Sequence, residues 1–219
     1  MAKMKFKKKH PNLVIIGLVG GIACGKSTAS GILGRMGAEI IDADEITHAE
    51  LDKPRTIQMA KEAFGPNIME KGRIVRTRLA EEAFADAESL KKLTDIVHPP
   101  VIEAVNARIR KLDSTPGKKA VVLEAALLME SGLDKICDHV IYIYCGLNQR
   151  LWRAKKNRLW GTSELKRREK FQILLQDKRT ASTYEINNNL SFEYTRREVE
   201  RFWNEHVAPA LSVKKRKTS

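Results

Sequence analysis

Glycines, a lysine and a hydroxyl residue at fixed spacing form the most informative stretch of the sequence. Residues 20–27 match the pattern G-x-x-x-x-G-K-[ST] and follow an apolar run of strand length at residues 13–19. Glycine permits a tight turn in which successive backbone N–H groups point at one anion, at the start of a helix. Lys26 adds a mobile charge for the β- and γ-phosphates, and the Ser27 hydroxyl is placed to ligate Mg²⁺. The spacing therefore predicts that a nucleoside triphosphate is bound by Gly20, Gly21, Ile22, Ala23, Cys24, Gly25, Lys26, Ser27 and Thr28.

Acidic residues come directly after two other apolar runs of strand length. Residues 38–41 are followed by Asp42 and Asp44, and residues 120–123 are followed by Glu124. In an open parallel α/β sheet, ligands bind at the carboxyl ends of the strands, so these acids are expected at the same edge as the glycine-rich loop. A phosphoryl-transfer enzyme uses such acids to orient an acceptor hydroxyl or to organise Mg²⁺.

The placement of Asp42 and Asp44 depends on where the next helix starts. Strand alternation through Ala43 would put both side chains on one side, whereas a helix that begins near Ala43 would part them. In the second case either aspartate could simply cap that helix. The sequence leaves both arrangements open.

Five apolar runs, separated by segments of helical periodicity, predict an α/β fold with a parallel sheet of about five strands flanked by helices. The expected strands are residues 13–19, 38–41, 120–123, 139–144 and 184–187. Between the second and third runs the sequence predicts helices alone, near residues 45–52, 56–64, 76–85, 88–97 and 100–112. So long a helical stretch exceeds what a crossover needs and indicates an inserted substrate-binding subdomain.

Candidate contacts for an anionic acceptor in this insertion are Arg76 and His98, with Arg73 and Arg78 beside them. Each could also be an ordinary surface charge, since arginines are common on helix faces. His98 precedes Pro99, and a proline disfavours the α conformation of the residue before it. We therefore expect a break between two helices at His98.

Residues 147–176 are helical in pattern and strongly cationic, with a predicted break at residues 160–162. Mobile segments of phosphoryl-transfer enzymes close over the phosphate and exclude water. Arginine suits this task because its planar fork holds phosphate oxygens bidentately. The alternative is a solvated pair of basic helices. The arginines concerned are Arg150, Arg153, Arg158, Arg167 and Arg168.

Composition restricts the class of protein and its location. The 219 residues are 42% hydrophobic, which suffices for a folded core, and no apolar run reaches the roughly 18 residues that span a bilayer. Three widely separated cysteines favour neither a disulfide framework nor a metal site, so we expect a cytoplasmic protein. Much of the net charge of +13 comes from lysines and arginine within residues 1–9 and 214–217. Such basic tails are more typical of solvated chain ends than of nucleic-acid sites.

The motifs occur in an order that resembles dephospho-CoA kinases from about Leu13 to Val207. The resemblance rests on the glycine-rich loop, Ile41-Asp42-Ala43-Asp44, His98-Pro99, Leu127-Leu128-Met129-Glu130, Arg168-x-x-x-Gln172 and Lys178-Arg179. It implies a P-loop NTPase fold with a helical acceptor-binding insertion and a helical lid. It also implies transfer of the ATP γ-phosphoryl group to the ribose 3′-hydroxyl of dephospho-CoA, with Mg²⁺ as cofactor.

Residue roles implied by this resemblance can be placed on the sequence. Asp44 would be the general base or would orient the hydroxyl, with Asp42 in support. Lys26 and Ser27 would hold phosphate and Mg²⁺, and Arg158 with Arg168 would belong to the lid. The expected substrate contacts are Asp42, Asp44, Arg76, His98 and Glu124.

The expected division of the chain follows from the same motifs. Residues 12–52, 119–150 and 181–211 would form the nucleotide-binding core, residues 53–118 the dephospho-CoA-binding insertion, and residues 151–180 the lid. Residues 1–11 and 212–219 would be basic tails. The sequence leaves the oligomeric state open and favours neither a membrane nor a nucleic-acid partner.

Some residues depart from the family pattern. Glu124 replaces a shorter aspartate, Val75 and Thr183 replace other aspartates, and Cys24 replaces a serine within the loop. A thiol at the start of a helix beside Lys26 suggests inhibition by oxidation or alkylation. Two other functions stay open: a nucleoside or nucleotide kinase of related architecture, and a P-loop nucleic-acid-binding regulator.

Overall fold

The computed structural model describes residues 10–117 and 119–213, and for Arg158 and Val213 the backbone alone. The basic clusters at residues 1–9 and 214–217 lie outside these ranges. In the described ranges, every helix is too short or too polar to cross a bilayer.

Five parallel strands form the central sheet, which confirms the predicted α/β class. The order across this sheet is β2-β5-β1-β6-β7, with two short strands forming a separate hairpin. The strands are β1 (Leu13–Val19), β2 (Glu39–Asp42), β3 (Met69–Glu70), β4 (Arg73–Ile74), β5 (Lys119–Glu124), β6 (His139–Tyr144) and β7 (Tyr184–Asn187).

Helices follow most strands along the chain. They are α1 (Lys26–Arg35), α2 (Ala43–Leu51), α3 (Pro54–Phe64), α4 (Arg76–Ala83), α5 (Ala87–Ser114), α6 (Leu147–Arg158), α7 (Thr162–Glu169), α8 (Leu175–Thr180), α9 (Phe192–Phe202) and α10 (Ala208–Val213). Short 3₁₀ turns lie at Pro66–Ile68 and Leu133–Ile136, and a π-helical turn at Trp203–Val207 joins α9 to α10.

Strand β1 is the centre of the sheet, and all seven of its residues are buried. A central parallel strand is covered on both faces, which is why its sequence reads as a continuous apolar run. The register sets Leu18 of β1 opposite Glu124 of β5, and Glu124 in turn opposite Asp42 of β2. The two acids therefore lie side by side at the carboxyl ends of neighbouring strands. The sequence predicted that they share this edge of the sheet, but not that their strands are neighbours.

The chain forms two compact units. One contains the sheet and comprises the residues as far as Asp42 together with those from Arg108 onward. The other, residues 43–107, contains the β3–β4 hairpin and most of the helices between β2 and β5. Buried apolar side chains of this second unit include Ala60, Ile68, Leu79, Val101 and Val105.

The expected helix break at His98 is wrong. Helix α5 runs without interruption from Ala87 to Ser114, with Pro99 and Pro100 inside it. Proline removes a backbone donor and strains the preceding turn, at a cost of about 3 kcal/mol. The apolar residues on both sides of the prolines are buried and offset that cost: Val97, Val101, Ile102, Val105 and Ile109.

The region between β2 and β5 also contains a hairpin that the sequence did not predict. Strands β3 and β4 have two residues each, too short for an alternating pattern. The turn between them consists of Lys71 and Gly72, both with positive φ, at 48° and 78°. A two-residue turn with both central φ angles positive matches the right-handed twist of a hairpin.

The start of α2 settles the placement left open for Asp42 and Asp44. Asp42 is the last residue of β2, and α2 begins at Ala43. Strand alternation therefore does not continue to Asp44, which lies in the first turn of the helix.

Candidate active site

The glycine-rich loop connects the buried end of β1 to the first residue of α1. Gly20 and Gly25 have φ angles of 151° and 98°, a region that side chains with a Cβ rarely adopt. Ala23 also has positive φ, at 60°. These angles fold residues 20–25 into a compact turn, closed by a hydrogen bond of 3.1 Å from the Cys24 N–H to the Gly21 carbonyl.

The helix side of this loop has backbone donors available for an anion. Within residues 10–117 and 119–213, the N–H groups of Gly25, Lys26 and Ser27 have no hydrogen-bond acceptor. Over the same ranges, the Lys26 ammonium has no carboxylate within ion-pair distance. Unpaired N–H groups at a helix start, with a neighbouring cation, are the physical requirement for binding phosphate.

The opposite side of the loop is held by side chains from distant parts of the chain. The Cys24 carbonyl accepts hydrogen bonds from Asn188 Nδ2 at 2.7 Å and from Arg153 Nη1 at 3.1 Å. Asn188 is 4% exposed, and its Oδ1 accepts a hydrogen bond of 2.8 Å from the Thr195 hydroxyl. A Cβ on Gly25 would lie 2.0 Å from Asn188 Nδ2, so any other residue here would displace the buried amide that holds the Cys24 carbonyl.

Cys24 itself is completely buried within the main core. Its Sγ would lie 2.7 Å from a Cβ on Gly20, so the thiol fills the space beneath the loop. A thiol with no solvent exposure is not accessible to an oxidant or an alkylating reagent. The structure therefore argues against the hypothesis of inhibition at Cys24 and gives this residue a packing role.

Oxygen ligands suited to Mg²⁺ are present in the sheet-containing unit. Asp42 and Glu124 occupy adjacent strand ends, and the exposed Ser27 hydroxyl lies in the first turn of α1. No group of three or more His, Cys, Asp or Glu side chains within the described part of the chain could hold a metal by itself. Mg²⁺ uses one or two carboxylates and otherwise relies on water and substrate phosphates, and the carboxylates of Asp42 and Glu124 are ligands of that kind.

Three of the predicted substrate contacts, Asp44, Arg76 and His98, belong to the helical unit 43–107, whereas Asp42 and Glu124 belong to the sheet-containing unit. Arg76 Nη2 lies 3.0 Å from Asp52 Oδ2, and about half of each side chain is exposed. His98 lies in the middle of α5 and is partly buried. Asp44 lies in the first turn of α2. The structure thus shows Arg76 in an ion pair on the surface of this unit.

Helices α6 and α7 carry the predicted lid arginines, separated by the expected break. Arg168 Nε donates to Glu164 Oε1 at 2.6 Å, and its guanidinium lies 4.2 Å from the centre of the Trp160 ring. Hydrogen bonds from Arg167 and then Arg168 lower the pKa of Glu164 below its usual range. These contacts fix the position of Arg168 on the face of Trp160. Arg158 is the last residue of α6, and its side chain lies outside the described atoms.

Sequence reasoning missed the residues that support the loop. Asn188 follows β7 at the same sheet edge as the acids, and a run of three asparagines at 187–189 was the available signal. Arg150 and Arg153, expected as phosphate ligands, instead contact loop carbonyls. Glu169 accepts a hydrogen bond from the Ile22 N–H, 147 residues away, and nothing in its local sequence predicts this.

Comparison with known proteins assigns the chain to a family. A family model described as dephospho-CoA kinase matches residues 14–193. A dephospho-CoA kinase from Geobacillus kaustophilus is 38% identical over 189 residues, which cover 84% of this chain and 92% of that protein.

Solved structures agree with this match. A protein from Thermus thermophilus superposes with a TM-score of 0.75 at 28% identity, covering 90% of this chain and 100% of that one. A dephospho-CoA kinase from Campylobacter jejuni superposes with a TM-score of 0.66 at 27% identity, covering 88% and 96% of the two chains. Because the family model spans most of the sequence and the relatives align over nearly their whole length, the chain belongs to the dephospho-CoA kinase family.

Proposed function

We propose that this protein transfers the γ-phosphoryl group of ATP to the ribose 3′-hydroxyl of dephospho-CoA, giving CoA and ADP in the last step of coenzyme A synthesis. The observation that carries the proposal is the set of unpaired N–H groups of Gly25, Lys26 and Ser27 beside the Lys26 ammonium. They lie in the glycine-rich loop of a chain that belongs to the dephospho-CoA kinase family. Preorganised donors of this kind stabilise the charge that develops on a transferring phosphoryl group.

The loop residues would act on ATP without covalent chemistry. Residues 20–28 would surround the phosphate chain, with the unpaired N–H groups of Gly25, Lys26 and Ser27 as its backbone donors. Lys26 would neutralise charge on the β- and γ-phosphates. Arg168, and Arg158 at the end of α6, would contact the phosphates from the lid. Burying a planar guanidinium against phosphate oxygens also excludes water, which would otherwise compete with the acceptor as nucleophile.

Asp44 would accept the proton of the ribose hydroxyl or orient that hydroxyl for attack. Asp42 would support it, and Arg76 and His98 would bind the acceptor. Glu124 would contact substrate through its longer side chain. Ser27 would ligate Mg²⁺, and the acids at residues 42 and 124 would hold its water. The ion would supply neutralisation of the phosphate charge.

The proposal also assigns parts of the chain to substrates. Residues 12–52, 119–150 and 181–211 bind ATP, residues 53–118 bind dephospho-CoA, and residues 151–180 form the lid. The free thiols of Cys24, Cys137 and Cys145 support a reducing compartment, and we place the enzyme in the cytoplasm.

A coupled assay of ADP release tests the substrate. The purified chain is given ATP and Mg²⁺ with either dephospho-CoA or a panel of nucleosides and nucleotides. We expect turnover with dephospho-CoA and none with the nucleosides or nucleotides. Turnover with a nucleoside and none with dephospho-CoA would contradict the proposal and favour a nucleoside kinase.

Deletion of the basic tails tests the remaining alternative. A chain lacking residues 1–9 and 214–219 is expected to keep the turnover of the full chain, because the loop and its supports lie between them. If the deletion abolished function, a regulator that binds nucleic acid through its tails would be favoured.

A further inference from the structure

The first half of the glycine-rich loop is held by an ion pair that the proposed reaction does not require. Glu169, at the end of α7, accepts a hydrogen bond of 3.1 Å from the Ile22 N–H. Arg150 of α6 donates through Nη1 to the Ile22 carbonyl at 3.4 Å, and Arg150 and Glu169 form an ion pair with each other. Both backbone polar groups of Ile22 are therefore occupied by one pair of side chains, which we call the Ile22 clamp.

Arg150 anchors this clamp to the sheet. Its Nε donates to the Cys145 carbonyl at 3.2 Å, directly after β6, and the residue is 4% exposed. The guanidinium thus joins the end of β6, the loop and α7. Because a buried charge is costly without a partner, Arg150 depends on Glu169 for neutralisation.

Gly21 is the residue that lets the clamp reach the backbone. A Cβ on Gly21 would lie 2.7 Å from Arg150 Nη1 and 3.1 Å from Glu169 Oε1. The side chain of Ile22 is held as well, since it packs with Ala154 of α6 and Leu165 of α7. The loop is therefore fixed to α6 and α7 by polar and apolar contacts together.

We propose that Arg150 and Glu169 are positioning residues, which hold residues 21–22 so that the following N–H groups keep the geometry that binds ATP. The inference rests on the proposed use of ATP. A loop already held in its binding shape loses less conformational freedom when the phosphates bind, and affinity rises accordingly.

The experiment measures ATP affinity by calorimetry without acceptor, and then KM for ATP and kcat with dephospho-CoA. Glu169→Ala removes the acceptor for the Ile22 N–H, and Glu169→Gln keeps an acceptor oxygen but removes the charge. The double substitution Arg150→Met with Glu169→Leu removes the clamp and leaves no buried charge, which protects folding. Asp177→Asn is the control, because it removes an exposed carboxylate from α8.

We expect Glu169→Ala and the double substitution to raise both the ATP dissociation constant and KM for ATP about tenfold, with kcat within about threefold of the wild-type value. Glu169→Gln is expected to raise the dissociation constant about threefold, and Asp177→Asn to leave it unchanged. The double substitution gives the same test if Glu169→Ala does not fold.

Two results would overturn the clamp. Wild-type ATP affinity in the double substitution would show that the pair only stabilises the fold. Tighter ATP binding in Glu169→Ala would show that the carboxylate competes with phosphate instead of holding the loop. Failure of the wild-type chain to phosphorylate dephospho-CoA would contradict the proposed function alone, because ATP binding tests the clamp separately.

Discussion

The glycine-rich loop and the helical unit 43–107 use their charged residues in different ways. In the loop, the donors of Gly25, Lys26 and Ser27 have no acceptor among the described residues, while the carbonyl side is held by Asn188 and Arg153. In the helical unit, Arg76 pairs with Asp52, Arg78 with Glu70 and Lys91 with Asp95. The loop is prepared for an external anion, whereas these cations of the helical unit already have carboxylate partners.

The difference has a physical origin. The fold fixes the positions of backbone groups. Unpaired backbone donors therefore need no rearrangement when phosphate binds, and no free energy is lost to it. An exposed arginine in an ion pair must exchange one partner for another, and such pairs contribute about 0–1 kcal/mol. Substitutions in the loop should therefore have larger effects on the reaction than substitutions of surface cations in the helical unit.

The largest effect is expected for Lys26→Ala. In the proposed reaction Lys26 faces the transferring phosphoryl group, so its removal should lower kcat/KM about 10³-fold. Folding should stay intact, because the ammonium has no ion-pair partner among the described residues to lose. Steady-state kinetics and thermal unfolding measure the two effects. Lys135→Ala, which removes an exposed lysine from the same unit, is the control. A loss of kcat/KM below about tenfold would contradict the difference drawn here, because substitutions in the loop would then affect the reaction no more than substitutions of surface cations.

Asp44→Asn is expected to lower kcat about 10²-fold and to leave the ATP dissociation constant unchanged, because in the proposed reaction the carboxylate acts on the acceptor hydroxyl. Turnover is compared with ATP affinity measured by calorimetry. Glu62→Gln, an exposed acid of α3 in the same unit, serves as the control. Near wild-type turnover in Asp44→Asn would remove the proposed role.

Asn188→Ala tests the hydrogen bonds that hold the Cys24 carbonyl of the loop. The substitution removes one of the two donors to the Cys24 carbonyl and leaves the Thr195 hydroxyl without its acceptor on Asn188. Loss of a buried hydrogen bond of this kind should raise KM for ATP about tenfold, with a smaller change in kcat. Asn157→Ala, in the exposed last turn of α6, is the control. Unchanged KM would show that Arg153 alone suffices to hold the loop.

The sheet could be predicted because its strands are buried on both faces. Leu13–Val19 and residues 120–123 read as continuous apolar runs, and parallel strands between helices leave that pattern in one sequence. The order of the strands was not predictable in the same way, because it depends on pairing between segments more than a hundred residues apart. The position of the glycine-rich loop between β1 and α1 was also predictable, since glycine spacing is a local requirement.

Residues that support the site could not be identified from local patterns. Asn188 bonds to Cys24 across 164 residues, and Glu169 to Ile22 across 147. Their side chains are common types in ordinary positions, and only the fold brings them to the loop. The opposite error occurred at His98, where a strong local rule predicted a break. There, burial of apolar side chains on both sides of Pro99 outweighs the preference of the backbone.

The smallest effect is expected for Arg76, which tests the ion-paired cations of the helical unit. Arg76→Ala should raise KM for dephospho-CoA about threefold, because a surface cation that leaves Asp52 for a substrate phosphate gains little net free energy. Asp52→Asn distinguishes a role of Arg76 in substrate binding from a structural role, because it removes the ion-pair partner of Arg76 and keeps Arg76 itself. If Arg76 binds the acceptor, Asp52→Asn leaves KM for dephospho-CoA at or below the wild-type value. If both substitutions raise KM for dephospho-CoA equally, the ion pair stabilises the helical unit, and the acceptor is bound by other residues. Arg55→Ala, an exposed arginine of α3, should leave KM unchanged and controls for net charge.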